Sequence, residues 1–192
     1  MPRASRAQAE QHREEIVVES SRLFRERGLA AVSVADVTGA VGMTHGGFYK
    51  HFASKEALAT EAAQRAFKLA VEHQEAVIAP APDPAGKWQA LIDDYLRPAH
   101  RDAPADGCPA TAFATDVARE PLPSPLRETY IAGVEDFVSL LQRIAPDNPD
   151  REETLARYAL LVGALTLARA TNGDPISDEI LAAARARLEI PG

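Results

Sequence analysis

The sequence predicts an all-α protein, on three observations. Aromatic residues make up only 6% of the chain and alanine is plentiful; alanine is the strongest helix former, whereas sheets favour aromatic and β-branched residues. Apolar residues recur at three- and four-residue spacing through most of the chain, the period of a helix with one buried face. No stretch alternates apolar and polar residues as a half-buried strand does, and no internal repeat is present.

The elements follow in order. Residues 13–27 put Ile16, Leu23 and Phe24 on one face with small Ser20 between them, and Gly28 supplies the C-terminal stop. Ser33 is an N-cap for a short helix with Val34, Val37 and Val41 on one side. Gly42 permits a tight turn, and Thr44 caps a second short helix running to about Phe52, with Phe48 and Phe52 buried one turn apart. Two short helices joined by a glycine turn make a helix-turn-helix. Ser54 caps a longer helix from Lys55 to about Ile78. The proline-rich stretch 79–86 reads as a loop, helical pattern resumes over 86–97, and Pro98 kinks or stops it. Residues 102–109 read as a loop, 110–119 as a short helix, and Pro121, Pro123 and Pro125 as a break. Residues 126–144 carry an apolar stripe of Leu126, Tyr130, Val134, Phe137, Leu141 and Ile144. Helices over 151–170 and 178–188 complete the chain.

Composition bounds the function. Hydrophobic residues at 46% and charged residues at 26% of 192 residues fit one or two globular domains. The single cysteine, Cys108, excludes an internal disulfide and a multi-cysteine zinc site; no metal or cofactor is expected. No apolar run reaches membrane-spanning length and the first residues lack the apolar core of a secretory signal, so no membrane partner and a cytoplasmic location are expected. The net charge of −7 is uneven. Residues 1–55 hold eight Lys/Arg against six Asp/Glu, whereas residues 56–192 hold 13 against 22. His12, His45 and His51 also lie in the first segment. That asymmetry suits a nucleic-acid-binding head on an acidic body, and equally two solvated faces.

From Tyr158 to Ala168 the sequence is apolar or small all round. Such a helix must be covered on both sides. Either it is central in one protomer or a second copy covers it. In the second case Leu155, Val162 and Leu165, with Ile180, Leu181, Ala184 and Leu188, form a four-helix interface of a C₂ homodimer. Small Gly163, Ala164 and Ala168 would let such helices approach closely.

The stretch from Arg13 to Lys55 then identifies a relationship. Its spaced apolar positions, the run V-G-M-T-H-G-G-F-Y-K-H-F (Val41 to Phe52) and the S-K-E-A-L start of the next helix (Ser54 to Leu58) resemble the DNA-binding head of the TetR family of bacterial transcriptional regulators. The resemblance covers nearly all of residues 13–60 and implies about nine helices: a three-helix head, here 1–55, and a ligand-binding, dimerising body, here 56–192. Counting helices by periodicity agrees.

A recognition helix presents its N-terminal side chains to base edges in the major groove. Thr44 and His45 stand there, and His45 can donate to or accept from a base. Gly46 and Gly47 cost helix stability, about 1 kcal/mol each against alanine, and would let backbone approach DNA; Gly46 matches the family pattern, whereas relatives more often carry a side chain at Gly47. Tyr49 and His51 resemble phosphate-binding positions, and Lys50 suits a base or a phosphate. Lys55 resembles a phosphate-contacting lysine at a helix N-terminus. Ser33, Val34 and Ala35 start the supporting helix where the DNA backbone would pass. Arg3 and Arg6 lie in an arm expected to be unstructured and to add nonspecific attraction. For the polar members of this set, plain surface charge is the bland alternative.

The resemblance implies a homodimer on a palindromic double-stranded DNA operator, with repression relieved by a small-molecule effector. Trp88, Tyr95, Phe113, Tyr130, Phe137 and Tyr158 are candidates for a pocket for a small hydrophobic or aromatic ligand, although each is individually as well placed in a core. His100, Asp116 and Arg169 are candidate polar groups within it. The segment containing His100-Arg101-Asp102 and Gly107-Cys108-Pro109 resembles a subgroup in which some relatives sense electrophiles or oxidants through cysteine. A thiol beside a helix N-terminus gains thiolate character, with His100 and Arg101 adding positive charge; the alternative is packing or pocket lining. Competing functional classes are thin. No phosphate loop, nucleophile elbow or zincin motif supports an enzyme. A protein-binding adaptor and an activator or nucleoid-type binder without ligand remain as alternatives.

Overall fold

The computed structural model describes residues 2–189, with side chains from Gln8 onward. Among the described residues there are ten α-helices, one 3-10 turn and no strand. The head comprises α1 (Pro2–Arg27), α2 (Val34–Ala40) and α3 (His45–Phe48), followed by the long α4 (Lys55–Ile78). The body continues through α5 (Pro84–Tyr95), α6 (Pro98–Asp102), a 3-10 turn (Pro104–Asp106), α7 (Pro109–Ala118), α8 (Pro125–Ile144), α9 (Arg151–Ala170) and α10 (Pro175–Leu188).

The expected caps are made. Ser33 Oγ accepts from Asp36 N at 3.1 Å while Asp36 accepts from Ser33 N at 2.7 Å, a reciprocal capping box. Thr44 Oγ1 accepts from Gly47 N, and Ser54 Oγ from Ala57 N, both at 3.2 Å. Gly28 and Gly42 take the left-handed backbone, at φ 83° and 67°, which ends α1 and turns the chain between α2 and α3.

Three expectations are corrected. The N-terminal arm is helical, because α1 begins at Pro2; its residues include Ala4, Ala7, Gln8, Ala9, Glu10 and Gln11, all tolerant of helix. The side chains of Arg3 and Arg6 lie outside the described residues. The second short helix stops at Phe48 rather than Phe52, and residues 49–51 continue as turns; two adjacent glycines weaken its regular bonding. Prolines read as breaks instead begin helices. Pro84, Pro98, Pro109, Pro125 and Pro175 each sit in the first turn of α5, α6, α7, α8 and α10, where the missing N–H has no helical partner anyway. Pro98 thus opens α6 rather than only closing α5.

Packing divides at the middle of α4. Its first half, Leu58 to Ala66, joins Ile16, Phe24, Val37, Phe48 and Phe52 in a head cluster that also takes Phe113, Val117 and Leu126 from the body. Its second half, Phe67 to Ile78, joins Trp88, Leu91, Tyr95, Phe137, Tyr158 and Leu165 in a body cluster. Tyr130 touches both. The hydrophobic core therefore runs unbroken across residue 55. At the α4–α8 crossing only a hydrogen fits on Gly133, since any Cβ there would strike the Phe67 ring.

Of the residues expected at a dimer interface, Leu165, Leu181 and Leu188 are buried inside the protomer. They form the inner stripe where α10 packs on α9. Ala184 is nearly covered as well but lines the groove between those helices. Leu155 (40% exposed) and the half-buried Val162 and Ile180 stay open, beside Leu167, which is 57% exposed.

Candidate nucleic-acid interface and effector cavity

The helix-turn-helix presents one polar face. Phe48 is fully buried and anchors α3, so its neighbours must face outward. Thr44, His45, Gly46, Tyr49 and Lys50 are exposed, and Gly47 is half-buried. His45 and Tyr49, one turn apart, meet edge to face at 5.5 Å between ring centroids. His51 is half-buried, its ring 5.9 Å from that of His12. Ser33 and Ala35 are exposed at the start of α2, while Val34 packs against the head cluster. A Cβ on Gly46 would meet nothing within 4 Å, so the free protein does not require glycine there. On Gly47 a Cβ would press Met43 Cγ at 3.0 Å.

Lys55 departs from expectation. Its ammonium donates to Leu29 O at 2.9 Å and Val32 O at 3.0 Å. It braces the α1–α2 connection from the first turn of α4, which spends two of its three N–H donors inside the protein. Two ion pairs reinforce the same packing: Arg13 with Glu61 at 2.6 Å and Arg65 with Glu14 at 2.7 Å. Arg13 also lies over the Phe52 ring at 4.7 Å.

The body holds a cavity of about 320 Å³. Tyr95, His100, Cys108 and Phe137 reach its wall, as the sequence proposes, together with Arg25, Leu69, Ala70, His73, Gln74, Asp94, Arg97, Asp106 and Gly107. The other pocket candidates lie elsewhere. Trp88 is core, its indole N–H donating to Leu188 O at 2.8 Å. Phe113 belongs to the head cluster. Tyr130 donates to Ala110 O at 2.9 Å, and Tyr158 stacks on the Phe137 ring at 4.9 Å. Arg169 stands behind the wall, donating to the carbonyls of His100 and Arg101. Asp116 accepts from Leu29 N at 3.1 Å and lines a different, larger cleft of about 760 Å³ at the head–body junction. That cleft is edged by the first turns of α4, the end of α7 and the start of α8, with charged Lys55, Glu56, Glu61, Arg119 and Glu120.

His100 is a structural imidazole. Nδ1–H donates to Tyr95 O at 2.7 Å, and Nε2 accepts from Cys108 N at 3.0 Å. This pair of bonds selects the neutral tautomer, and burial pulls the pKa down to about 4. The ring therefore adds no positive charge beside Cys108, contrary to expectation, and has no nitrogen free for a ligand. The sequence reading missed Arg25, His73, Gln74, Asp94 and Arg97. Arg25 is only 8% exposed although it follows an apolar helical face; nothing in its spacing marks it as buried.

Residues 16–62 match the family model described as bacterial regulatory proteins, tetR family. The uncharacterized HTH-type transcriptional regulator Rv0196 of Mycobacterium tuberculosis is 32% identical over 166 residues, covering 82% of this chain and 84% of that protein. The chain belongs to the tetR family. The HTH-type transcriptional repressor DhaR of a Mycobacterium species is 25% identical over 131 residues, covering 68% of this chain and 64% of DhaR. The structure of E. coli NemR in its reduced form superposes with a TM-score of 0.78 at 18% identity, covering 93% of this chain and 95% of NemR, a likeness of fold. Family and fold are those of DNA-binding transcriptional regulators rather than enzymes. No helix among the described residues is long and apolar enough to cross a membrane.

Two outcomes are expected of this tetR-family regulator. Gly46→Ala should leave unfolding stability unchanged or raise it by up to about 1 kcal/mol, while weakening binding to selected DNA, because the new methyl occupies the space between α3 and a groove. Urea unfolding and fluorescence anisotropy separate the two effects. His100 binds protons less readily folded than unfolded, so its stabilisation is complete above the ordinary value of 6.5 and is lost as pH falls toward 4. Over that window the wild type should lose about 3 kcal/mol through this group. His100→Gln should lack that component, so the stability gap between the two proteins should narrow in the same window of denaturant titrations.

Proposed function

We propose that this chain is a repressor that binds a palindromic operator as a homodimer and is released by a small hydrophobic or aromatic effector held in the body. The observation that carries the reading is the anchored α3, whose buried Phe48 forces His45, Tyr49 and Lys50 outward. Residues 1–55 act as the DNA-binding head and 56–192 as the sensing and dimerising body. Thr44 and His45 face base edges. Tyr49, Lys50 and the start of α2 meet phosphates, whereas Lys55 acts from within. Members of the family bind DNA as dimers and respond to small ligands, and DhaR is named as a repressor.

The groove between α9 and α10 supports the dimer. It is lined by Ala159, Leu160, Gly163, Leu167, Ile180 and Ala183 among others and is almost wholly apolar. A second copy of the same pair closes it as a four-helix interface, with Leu155, Val162 and Leu167 at its centre rather than Leu165, Leu181 and Leu188. Two heads then address half-sites about 34–36 Å apart. An effector lowers operator affinity only by preferring another head separation. A regulator of this kind works in the cytoplasm.

The test is selection of bound sequences from a random DNA pool with the full chain, followed by affinity and sedimentation measurements. A two-fold symmetric site is expected. Lys50→Ala should cost about 1–3 kcal/mol and, if it meets phosphate, lower the salt slope by about one. Leu167→Glu should shift the sedimenting species to a monomer with weak operator binding. An unsymmetrical selected site or a wild-type monomer on DNA removes the reading.

A second reading places the signal on Cys108. The thiol is buried on the cavity wall at the N-terminus of α7. The buried hydroxyls of Tyr95 and Tyr158 both lie near it without a well-formed hydrogen bond. Burial, reinforced by Cys108, holds both phenols protonated well above their usual range, so they can donate to a thiolate or its oxidised form. Alkylation of Cys108 with N-ethylmaleimide should then lower operator affinity, and Cys108→Ser should abolish that response. Unchanged affinity after complete alkylation disposes of it.

A further inference from the structure

Two guanidinium groups meet beside the body cavity, and among the described residues neither forms an ion pair. Arg25, from the last turn of α1, is 8% exposed and reaches the cavity wall. It spends Nε on Ser21 O at 3.2 Å and Nη1 on Gly107 O at 2.9 Å. Arg169, from α9, donates to His100 O at 3.0 Å and Arg101 O at 3.3 Å. It closes on Gly107 so tightly that a Cβ there would overlap its guanidinium. Carbonyl oxygens satisfy part of each five-donor fork but carry no net charge. Two like charges taken from water without a counter-ion are costly.

The acids of the neighbourhood are engaged elsewhere. Asp94 on the wall is held by His73 at 2.8 Å, Gln74 at 2.9 Å and Arg97 at 3.2 Å. Asp106 pairs with Arg22 at 3.1 Å and is largely exposed. Leu69, Ala70, Tyr95 and Phe137 make the apolar part of the wall, while His73, Gln74, Arg97 and His100 add polar groups to the rest. The cavity thus combines an apolar patch with a cationic end that no direct ion pair neutralises, the exposed Asp106 offsetting Arg25 only through space.

From this we infer that the cavity binds a carboxylate-bearing ligand with a compact apolar body, its carboxylate seated on Arg25 with Arg169 behind. A planar carboxylate matches the guanidinium fork and carries one charge, whereas a dianionic phosphate would lose more hydration in so small and apolar a space. A volume of about 320 Å³ suits a single-ring acid. The ligand also acts directly on the head, because Arg25 belongs to α1. Engaging its guanidinium competes with the Gly107 bond that ties α1 to the body.

This inference rests on the reading of the cavity as the effector site, and the experiment separates the two. Full-length protein is titrated calorimetrically with benzoate, phenylacetate and 4-hydroxybenzoate, and with their uncharged primary amides. The acids should bind about tenfold or more tighter than the amides and should lower operator affinity. Arg25→Gln should erase the acid preference and Arg25→Lys should retain part of it. Ala70→Trp, which fills the cavity, should remove binding of both series. Equal binding of acids and amides that Ala70→Trp abolishes overturns the charge inference and leaves the cavity reading standing. Acid binding that survives Ala70→Trp, or no binding by any acid, overturns the inference and counts against the cavity itself. The wild-type comparison decides the matter even if Arg25→Gln does not fold.

Discussion

The end of α1 is held to the body at two points, one buried and one partly buried, and the position of the whole head depends on them. Arg25 donates to Gly107 O, and just past the helix Leu29 N donates to Asp116. Lys55 then gathers the carbonyls of Leu29 and Val32 from the side of α4. Because α2 and α3 pack on α1 and on the first half of α4, these few bonds fix where α3 points. Each is at least partly shielded from water, so losing one leaves a polar group poorly satisfied and costs more than a fully exposed contact would. The head is set by particular atoms of the 103–116 segment rather than by a broad apolar surface alone.

That arrangement places both body cavities next to a head–body contact. The cavity near Cys108 abuts the Gly107 contact, and the larger cleft abuts the Asp116 contact. A ligand in either space changes operator affinity only if it binds one head position better than another. Moving such an equilibrium from almost wholly one state to almost wholly the other requires a differential of about 5.5 kcal/mol. Apolar contact with the wall alone is nearly the same in both states, since Leu69, Ala70 and Phe137 lie on α4 and α8 within the body. The groups free to change partners in such an equilibrium would be those on the head, and at the smaller cavity that is Arg25. The larger cleft has more volume, but its charged residues, Lys55 apart, make no bond to the head's backbone except through Asp116.

Local chemistry explains how much of this the sequence discloses. Ser33, Thr44 and Ser54 are legible because a cap acts within three residues, and the buried Phe48 and Phe52 are legible from one helical turn of spacing. The prolines are ambiguous in isolation: the ring that forbids a helix interior suits its first turn, so α5, α7, α8 and α10 begin earlier than their apolar pattern suggests. The inner stripe of α10 is legible as apolar but not as inward-facing. Leu181, Ala184 and Leu188 look the same whether they meet α9 of their own chain or that of another. Tyr95, His100, Cys108 and Phe137 reach the cavity as their types suggest, whereas Trp88, Phe113 and Tyr158 fill core positions that large rings fill equally well. Arg25 and Lys55 show the limit most clearly. A cation's sequence position does not say whether its head group meets solvent, a phosphate or two carbonyls.

The spareness of α3 bears on how such a regulator is controlled. Gly46 and Gly47 offer no side chain to a base, so in the proposed complex each head has few groups for direct readout beyond Thr44 and His45. Phosphate contacts from Tyr49 and its neighbours position a protein without naming a sequence. In the proposed dimer, selectivity must then come largely from engaging two half-sites at once, with groove shape adding to it. The second head binds at the effective concentration set by the first, and that advantage disappears when geometry forbids simultaneous contact. Weak individual readout therefore makes operator binding depend steeply on head separation. On that proposed reading, a small shift at the end of α1, where Arg25 is held, would be enough to matter, because the DNA contact would have so little else to rely on.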